Sequence, residues 1–250
     1  MLKALAGACE AAYDVAHLAV SSLGKAWYPL RRHKLFFGQL YEVGNRSLGI
    51  VAVMGVFIGM VLALQSGYQL RRFNQQQRIG LMGLAVVREF GPVITAFLLA
   101  GRVGSSYAAE IGTMKVDEQI DALQVMGVDP VAYLASPRVL ACIVMVPLLC
   151  IYADFVAMLG GALVAETYVN VPPQTFFRVF FNFMSMGDVW RSLAKCLAFG
   201  GIIAVTGCYC GFNTTGGAEG VGRSTTQTVV YALLAVLITD YFLEKVLLAL

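Results

Sequence analysis

Charge is scarce in this 250-residue chain: 18 Lys and Arg with 15 Asp and Glu make up only 13% of it. Soluble domains carry about 25% charged and 45–50% apolar residues, so a chain with this balance is not built for water. Histidine is scarcer still, with His17 and His33 alone, and neither falls inside a long apolar run. The six cysteines, Cys9, Cys142, Cys150, Cys196, Cys208 and Cys210, form no CxxC pair and no Cys/His ligand spacing. They read as reduced packing residues and exclude a metal site of the usual kind. The net charge of +3 is small, and the basic residues line no aromatic-rich face, so nucleic acid is excluded as a partner. The first residues hold no adequate apolar stretch before Glu10, Asp14 and His17. A cleaved signal peptide is therefore not expected, despite the lipobox-like Ala6-Gly7-Ala8-Cys9. Internal repeats are absent, which weakens the inverted-repeat architecture common among secondary transporters.

What fills the chain instead is apolar: 58% hydrophobic residues and a mean hydropathy of +0.72. A span needs about 20 apolar residues. The pattern predicts an all-α integral membrane protein with about five transmembrane helices, over 48–70, 79–101, 139–165, 190–212 and 228–250. They form one permease-sized domain, 48–250, preceded by an N-terminal region, 1–47. In that region Leu2, Leu5, Ala8, Ala12, Val15 and Leu18 recur at helical spacing and the basic run Arg31, Arg32, Lys34 follows, which predicts an amphipathic helix lying in the membrane interface. Lys and Arg in the flanks favour a cytoplasmic N-terminus and an external C-terminus. On that topology residues 166–187, with Pro172-Pro173 and Phe176, Phe177, Phe180 and Phe181, form an external amphipathic piece.

Three acidic residues fall near the middle of spans, where a charge must be paired or wet: Glu89, Asp154 and Asp240. Glu89 stands in Arg88-Glu89-Phe90-Gly91-Pro92, and Pro92 cannot donate to the carbonyl of Arg88, so the second span should kink beside the charged pair. Glu89 is read either as a polar point on a substrate cavity or as half of a structural ion pair. For Asp154 and Asp240, helix-to-helix hydrogen bonding stands beside a proton relay. Gly55 with Gly59, and Gly207 with Gly211, have the GxxxG spacing that lets helices approach closely, within one chain or between two. Residues 217–224 nearly match a phosphate-binding GxxxxGK[ST] loop, but Arg223 replaces the Lys and no strand precedes it, so ATP is expected on another chain. Between spans, Val116, Ile120 and Leu123 share one face of a polar helix over 110–127, and Glu110, Asp117 and Asp121 share another. Asp129-Pro130 stops it. Such a helix is a lever for a soluble partner, or a solvated loop helix.

Several stretches occur together and in order: GVFIGMVLALQ from Gly55, REFGPV from Arg88, AGRVGSSYAAEIGTMKVDEQIDALQVMGVDP from Ala100, SPR from Ser136 and GVGRSTTQTVV from Gly220. In these the chain resembles the MlaE (YrbE) permease family over nearly everything past residue 35. The resemblance implies a homodimeric, multi-pass permease of the bacterial inner membrane. It would belong to an ABC transporter that moves phospholipid between that membrane and a periplasmic carrier and so maintains outer-membrane lipid asymmetry. Implied partners are an MlaF-type ATPase that binds the ATP and Mg, an MlaB-type STAS protein and a hexameric MlaD-type MCE protein; the chain itself would hold no cofactor and be no enzyme. By the same resemblance the coupling helix to the ATPase carries Glu110, Asp117, Glu118 and Asp121, and lipid is lined by Glu89, Leu62, Leu70 and Phe73. An ion-coupled transporter using Glu89, Asp154 and Asp240, and a scaffold without a translocation path, are the competing readings.

Overall fold

The structure, a computed structural model, describes residues 2–25, 27–28 and 33–249. Arg31 and Arg32 of the basic run, and the side chains of Leu2, Leu5, Ala8, Cys9 and Ala12, lie outside the described residues. Helix follows helix with no strand among the described residues. In chain order they are α1 (Leu2–Gly24), α2 (His33–Arg72), α3 (Gln76–Val116), α4 (Gln119–Val125), α5 (Val131–Val169), α6 (Pro173–Phe183), α7 (Met186–Phe212) and α8 (Gly217–Ala249). Helices α2, α3, α5 and α7 are each long and apolar enough to cross a bilayer, and the 33-residue α8 is a fifth candidate.

The first span is longer than the apolar run predicted. Helix α2 begins fifteen residues before Leu48 and continues unbroken through the charged turn where Arg46 pairs with Glu42 at 2.5 Å. At 1.5 Å per residue its 40 residues extend about 60 Å, twice the hydrocarbon thickness, so its first turns project beyond the core of the membrane. Helix α3 is irregular. It opens with a tight 3-10 turn and contains two π-type segments, Val86–Phe90 and Ala100–Gly104.

Small residues decide which helices touch. A Cβ on Gly59 would stand 1.9 Å from the carbonyl oxygen of Ala157, and one on Gly55 2.9 Å from that of Ala153. Gly160 of α5 answers with the same closeness to Val56. The first GxxxG therefore seats α2 on α5 within one chain. Gly207 and Gly211 do the same for α7 against Gly104 and Ile111 of α3. Gly59→Ala should destabilise the fold by about 1–3 kcal/mol, because the obstructing atom is backbone and cannot rotate away. Thermal unfolding in detergent checks this; an unchanged midpoint would mean α2 and α5 are not in contact.

Two larger apolar cores result, beside a small one around Ile111, Ile120 and Leu134. One joins α3, α5, α7 and α8 around Leu99, Tyr107, Phe199 and Ile203, and Val15 and Leu18 of α1 pack against it. The other joins α2, α3, α5 and α6 around Ile79, Met158, Phe176 and Phe180. Helix α6 is the amphipathic piece predicted over 166–187: Phe176 and Phe180 are buried while Phe181 is 66% exposed. Arg71 donates to the carbonyl of Tyr168, tying the ends of α2 and α5 at the α6 end of the bundle.

At the opposite end Lys25 pairs with Asp129, and Ser136 donates to the carbonyl of Lys25. This fastens the end of α1 to the elbow before α5. Burial pushes the Asp129 carboxyl up, but the Lys25 ammonium and the N–H of Val131 outweigh it and hold the group below its ordinary value. The pair's small contribution is thus complete above the ordinary carboxylate value and is lost as acid is added below it.

The glycine-rich 217–224 segment is no loop. Residues from Gly217 onward are helical, Thr214 and Ser224 hydrogen-bond at 2.9 Å, and Arg223 faces Glu219 one turn away. The five described cysteines are free and buried, and no group of three His, Cys, Asp or Glu among the described residues is placed to hold a metal ion.

Candidate functional site

The kink predicted beside Glu89 is a π-type widening over Val86–Phe90, where the N–H of Gly91 reaches back to the carbonyl of Val86. Pro92 brings no N–H, so the carbonyl of Arg88 lacks its helical donor. The donor comes from another helix: Lys195 Nζ of α7 lies 3.4 Å from that carbonyl. The same ammonium is 2.8 Å from Glu89, 3.1 Å from Asp240 and 2.9 Å from Glu244. Its side chain is fully buried, whereas Glu89 keeps 39% of its side chain exposed. One cation thus joins α3, α7 and α8 through three carboxylates and a carbonyl.

Arg88 does not pair with its neighbour Glu89. It turns to Asp188, two turns before Lys195 on α7, in a fork with Nε–Oδ1 at 2.9 Å and Nη2–Oδ2 at 3.0 Å. Asp188 also accepts from the N–H of Ser185, closing a capping box at the start of α7. Asp188 and Lys195 are seven residues apart and share a face, so α7 grips both charged residues of the kink. The arrangement is geometrically specific: a forked Arg–carboxylate pair fixes orientation as well as distance.

Of the three acids predicted to lie in spans, Glu89 and Asp240 therefore converge on Lys195, and Asp154 does not. Asp154 lies against Gly91, where a Cβ would stand 1.9 Å from its Oδ1, and that oxygen is buried without a hydrogen-bond partner. No helix-to-helix hydrogen bond to it occurs among the described residues; Cys150 on its own helix lies 3.8 Å from its other oxygen. Lys195, Glu244 and Asp188 were not singled out by sequence. Lys195 looked like a flanking charge at the start of an apolar run, and its burial among carboxylates became visible only with the helices packed.

Beside the kink, α2 and α3 form an apolar groove of about 580 Å³ lined by Met54, Phe57, Ile58, Val61, Leu62, Phe90 and Ile94. A narrow cleft with a volume of only about 20 Å³ continues it inward past Gly91 to Asp154. Leu62 sits in the groove; Glu89 precedes the groove's Phe90 in the chain but is not among its lining residues, its carboxylate being held on Lys195. Leu70 and Phe73 are not among its lining residues: Leu70 packs against the α6 core, and Phe73 is 75% exposed in the turn after Arg72.

The segment predicted as one helix over 110–127 is two. Helix α3 ends at Val116, Glu118 adopts a left-handed φ of 58°, and α4 begins at Gln119. Gly127, at φ 72°, ends α4 in a turn where Val128 N–H reaches the carbonyl of Leu123. Glu110 belongs to the body of α3 and pairs with the buried Arg138 of α5 at 2.8 Å. Asp117, Glu118 and Asp121 are exposed, with Asp121 3.0 Å from Lys115. Ile120 is buried, while Val125 and Met126 stand 90% and 67% exposed at the tip.

The profile of the family described as Permease MlaE matches residues 36–246. A "Probable ABC transporter permease protein" of Synechocystis is 44% identical over 207 residues, covering 82% of this chain and 79% of the relative. Another of the same name from Rickettsia typhi is 40% identical over 231 residues, covering 92% and 88%. The chloroplastic protein "TRIGALACTOSYLDIACYLGLYCEROL 1" of Arabidopsis thaliana is 38% identical over 208 residues, which is 83% of this chain and 59% of that protein.

Proposed function

This chain belongs to the MlaE permease family, and from that premise we propose that it is the membrane subunit of an ATP-driven phospholipid transporter. The observation that carries the lipid reading is the juxtaposition at the α3 kink. An apolar groove lies between α2 and α3, and the partly exposed Glu89 is the chain neighbour of its Phe90. A phospholipid asks for both surfaces, a groove for chains and a charged rim for the head. The name of the Arabidopsis relative contains a galactosyl diacylglycerol, which supports a diacylglycerol-based lipid in general.

The groove is one-sided, and a second copy of the chain facing it would complete a cavity. Homodimerisation of the permease is accordingly part of the proposal. ATP would be hydrolysed by a separate MlaF-type chain, with an MlaB-type protein beside it and an MlaD-type MCE hexamer receiving or delivering lipid on the other side. Helix α1 and the α3–α4 elbow lie at one end of the bundle, which supports a cytoplasmic N-terminus with the elbow on the same face of the inner membrane. Lys195 and Arg138 are interior and drop out of the flank tally, one from each side, so its direction stands. On this reading lipid handled by the chain contributes to outer-membrane asymmetry.

The test is lipid transfer by the purified complex in nanodiscs, with ATP hydrolysis followed in parallel. Phospholipid-stimulated hydrolysis and transfer to an acceptor are expected. Solute movement by the chain alone down a proton gradient would overturn the proposal in favour of ion coupling through Glu89, Asp154 and Asp240. A complex with neither lipid stimulation nor transfer would leave a scaffold.

Coupling has its own test. Asp117→Lys with Asp121→Lys reverses two exposed charges on either side of the helix break and places a lysine beside Lys115. Lipid-stimulated hydrolysis should fall at least tenfold while membrane insertion is kept, since charge complementarity governs docking of a partner. Normal co-purification with the ATPase and normal stimulation would show that the elbow is a solvated turn.

A further inference from the structure

The two ends of the bundle treat their cations differently. At the end that holds α1 and the α3–α4 elbow, Lys25, Arg46, Lys115, Arg138 and Arg223 each stand on a carboxylate. At the α6 end Arg71, Arg72, Arg78 and Arg178 are exposed, and none of them is in an ion pair among the described residues. Three elements in contact carry them: Arg71 and Arg72 close α2, Arg78 sits in the tight turn that opens α3, and Arg178 is on α6. That turn packs directly on α6, since a Cβ on Gly80 would stand 2.3 Å from the carbonyl oxygen of Phe176 and 3.0 Å from Val179 Cβ. The N–H of Gln75, reaching the carbonyl of Leu70, folds the same turn back on α2. Across 66–80 and 163–184, which build this end, Glu166 is the sole acid. Four arginines against one glutamate leave a formal +3, equal to that of the whole chain. On the orientation proposed above this end is external, where Lys and Arg are normally few.

Exposed rings stand among the guanidinium groups. Arg72 lies 4.7 Å over the Tyr68 ring and donates to its hydroxyl at 2.8 Å. Arg178 and the exposed Phe181, three residues apart, share a face of α6. Phe73 and Tyr168 are exposed as well, at 75% and 63%. Aromatic side chains in this setting mark the depth of the lipid headgroups, and long cationic side chains there extend to the phosphates.

We propose that the α6 end of the bundle binds anionic phospholipid heads in preference to zwitterionic ones. A guanidinium is a planar fork that matches a phosphate. A zwitterionic head brings a cation of its own, and this end offers that cation Glu166 alone beside four arginines. A head with net negative charge, such as phosphatidylglycerol, brings none. An acidic protein surface would meet the same charge, but rings interleaved with the arginines favour a lipid surface over a protein one. The surface lies at the end of the bundle, shares no residue with the α2–α3 groove and does not rest on the transport reading.

The experiment uses the permease complex in nanodiscs of equal parts phosphatidylglycerol and phosphatidylcholine with the same chains, without ATP. A photoreactive analogue of each lipid carries a diazirine close to the glycerol, and labelling is mapped to Tyr68, Phe73, Tyr168 and Phe181. Labelling there by phosphatidylglycerol should exceed that by phosphatidylcholine about tenfold at low salt, and the ratio should shrink at about 1 M salt, where charges are screened within about 3 Å. Replacing Arg71, Arg72, Arg78 and Arg178 together by Gln should bring the ratio close to one. Should that variant lose yield, because Arg71 ties α2 to the Tyr168 carbonyl, Arg78→Gln with Arg178→Gln still decides and should lower the ratio at least twofold. Equal labelling of the unaltered protein by both lipids would overturn the proposal, and so would a preference that survives the arginine replacements. A variant that keeps the lipid ratio but loses a co-purifying protein would overturn it in favour of an acidic protein partner.

Discussion

Lys195→Met should reduce the amount of folded permease at least tenfold, more than any single carboxylate replacement in the same cluster. The ammonium is the one cation in ion-pair contact with three carboxylates from two helices among the described residues, and it also supplies the donor that Pro92 denies to the Arg88 carbonyl. Removing one partner of a buried ion pair destabilises by about 3–5 kcal/mol because the remaining charge is stranded. Here three acids would be stranded together. Asp240→Asn, by contrast, leaves Lys195 with Glu89, Glu244 and the carbonyl, and should cost less than about half as much. Combining Lys195→Met with Glu89→Gln, Asp240→Asn and Glu244→Gln removes the charges with their partner and should restore much of the yield. Yield after detergent extraction and the thermal midpoint report all three variants. A Lys195→Met protein as abundant and as stable as the parent would show that the cluster does not hold α3, α7 and α8 together.

The gross fold is readable from the chain because bilayer thickness constrains it so strongly: long apolar runs had nowhere to be but in helices of spanning length. The kink was readable too, since Pro92 removes a backbone donor wherever the helix packs. What needed the structure was partnership. Arg88 and Glu89 are adjacent in sequence and invite pairing, yet adjacent residues on a helix point about 100° apart. Each instead met a residue of α7 roughly a hundred positions away. No local pattern encodes that distance. The spacing of Asp240 and Glu244, one turn apart near the end of an apolar run, was the available hint that a cation faces them. The GxxxG pairs show the same limit: spacing announced a close approach, and only packing showed that α5 and α3 of the same chain make it. The break at Glu118 was invisible for another reason, since a left-handed non-glycine residue is set by its surroundings. Phe73, carried over by resemblance, fell in a loop where no periodicity fixes the side chain.

Glu89 is the residue on which the lipid reading turns, and two substitutions separate its possible roles. In the parent cluster one Lys faces Glu89, Asp240 and Glu244, a formal charge of 1 − 3 = −2. Glu89→Gln reduces this to 1 − 2 = −1 and keeps an oxygen for Lys195 to donate to. It should therefore fold normally and lose transport only a few-fold. Glu89→Lys brings the count to 2 − 2 = 0. Asp240 and Glu244 remain to receive the new ammonium, and the partly exposed position lets its head swing toward the groove. The protein should still assemble. On the proposed lipid reading transfer should nevertheless fall at least tenfold, because the charge on the residue preceding the groove's Phe90 has changed sign. Complex yield and lipid transfer measured together decide the matter. Loss of yield with no transfer defect per folded complex would make Glu89 a structural tie alone, and a folded Glu89→Lys permease with full transfer would remove it from the lipid path.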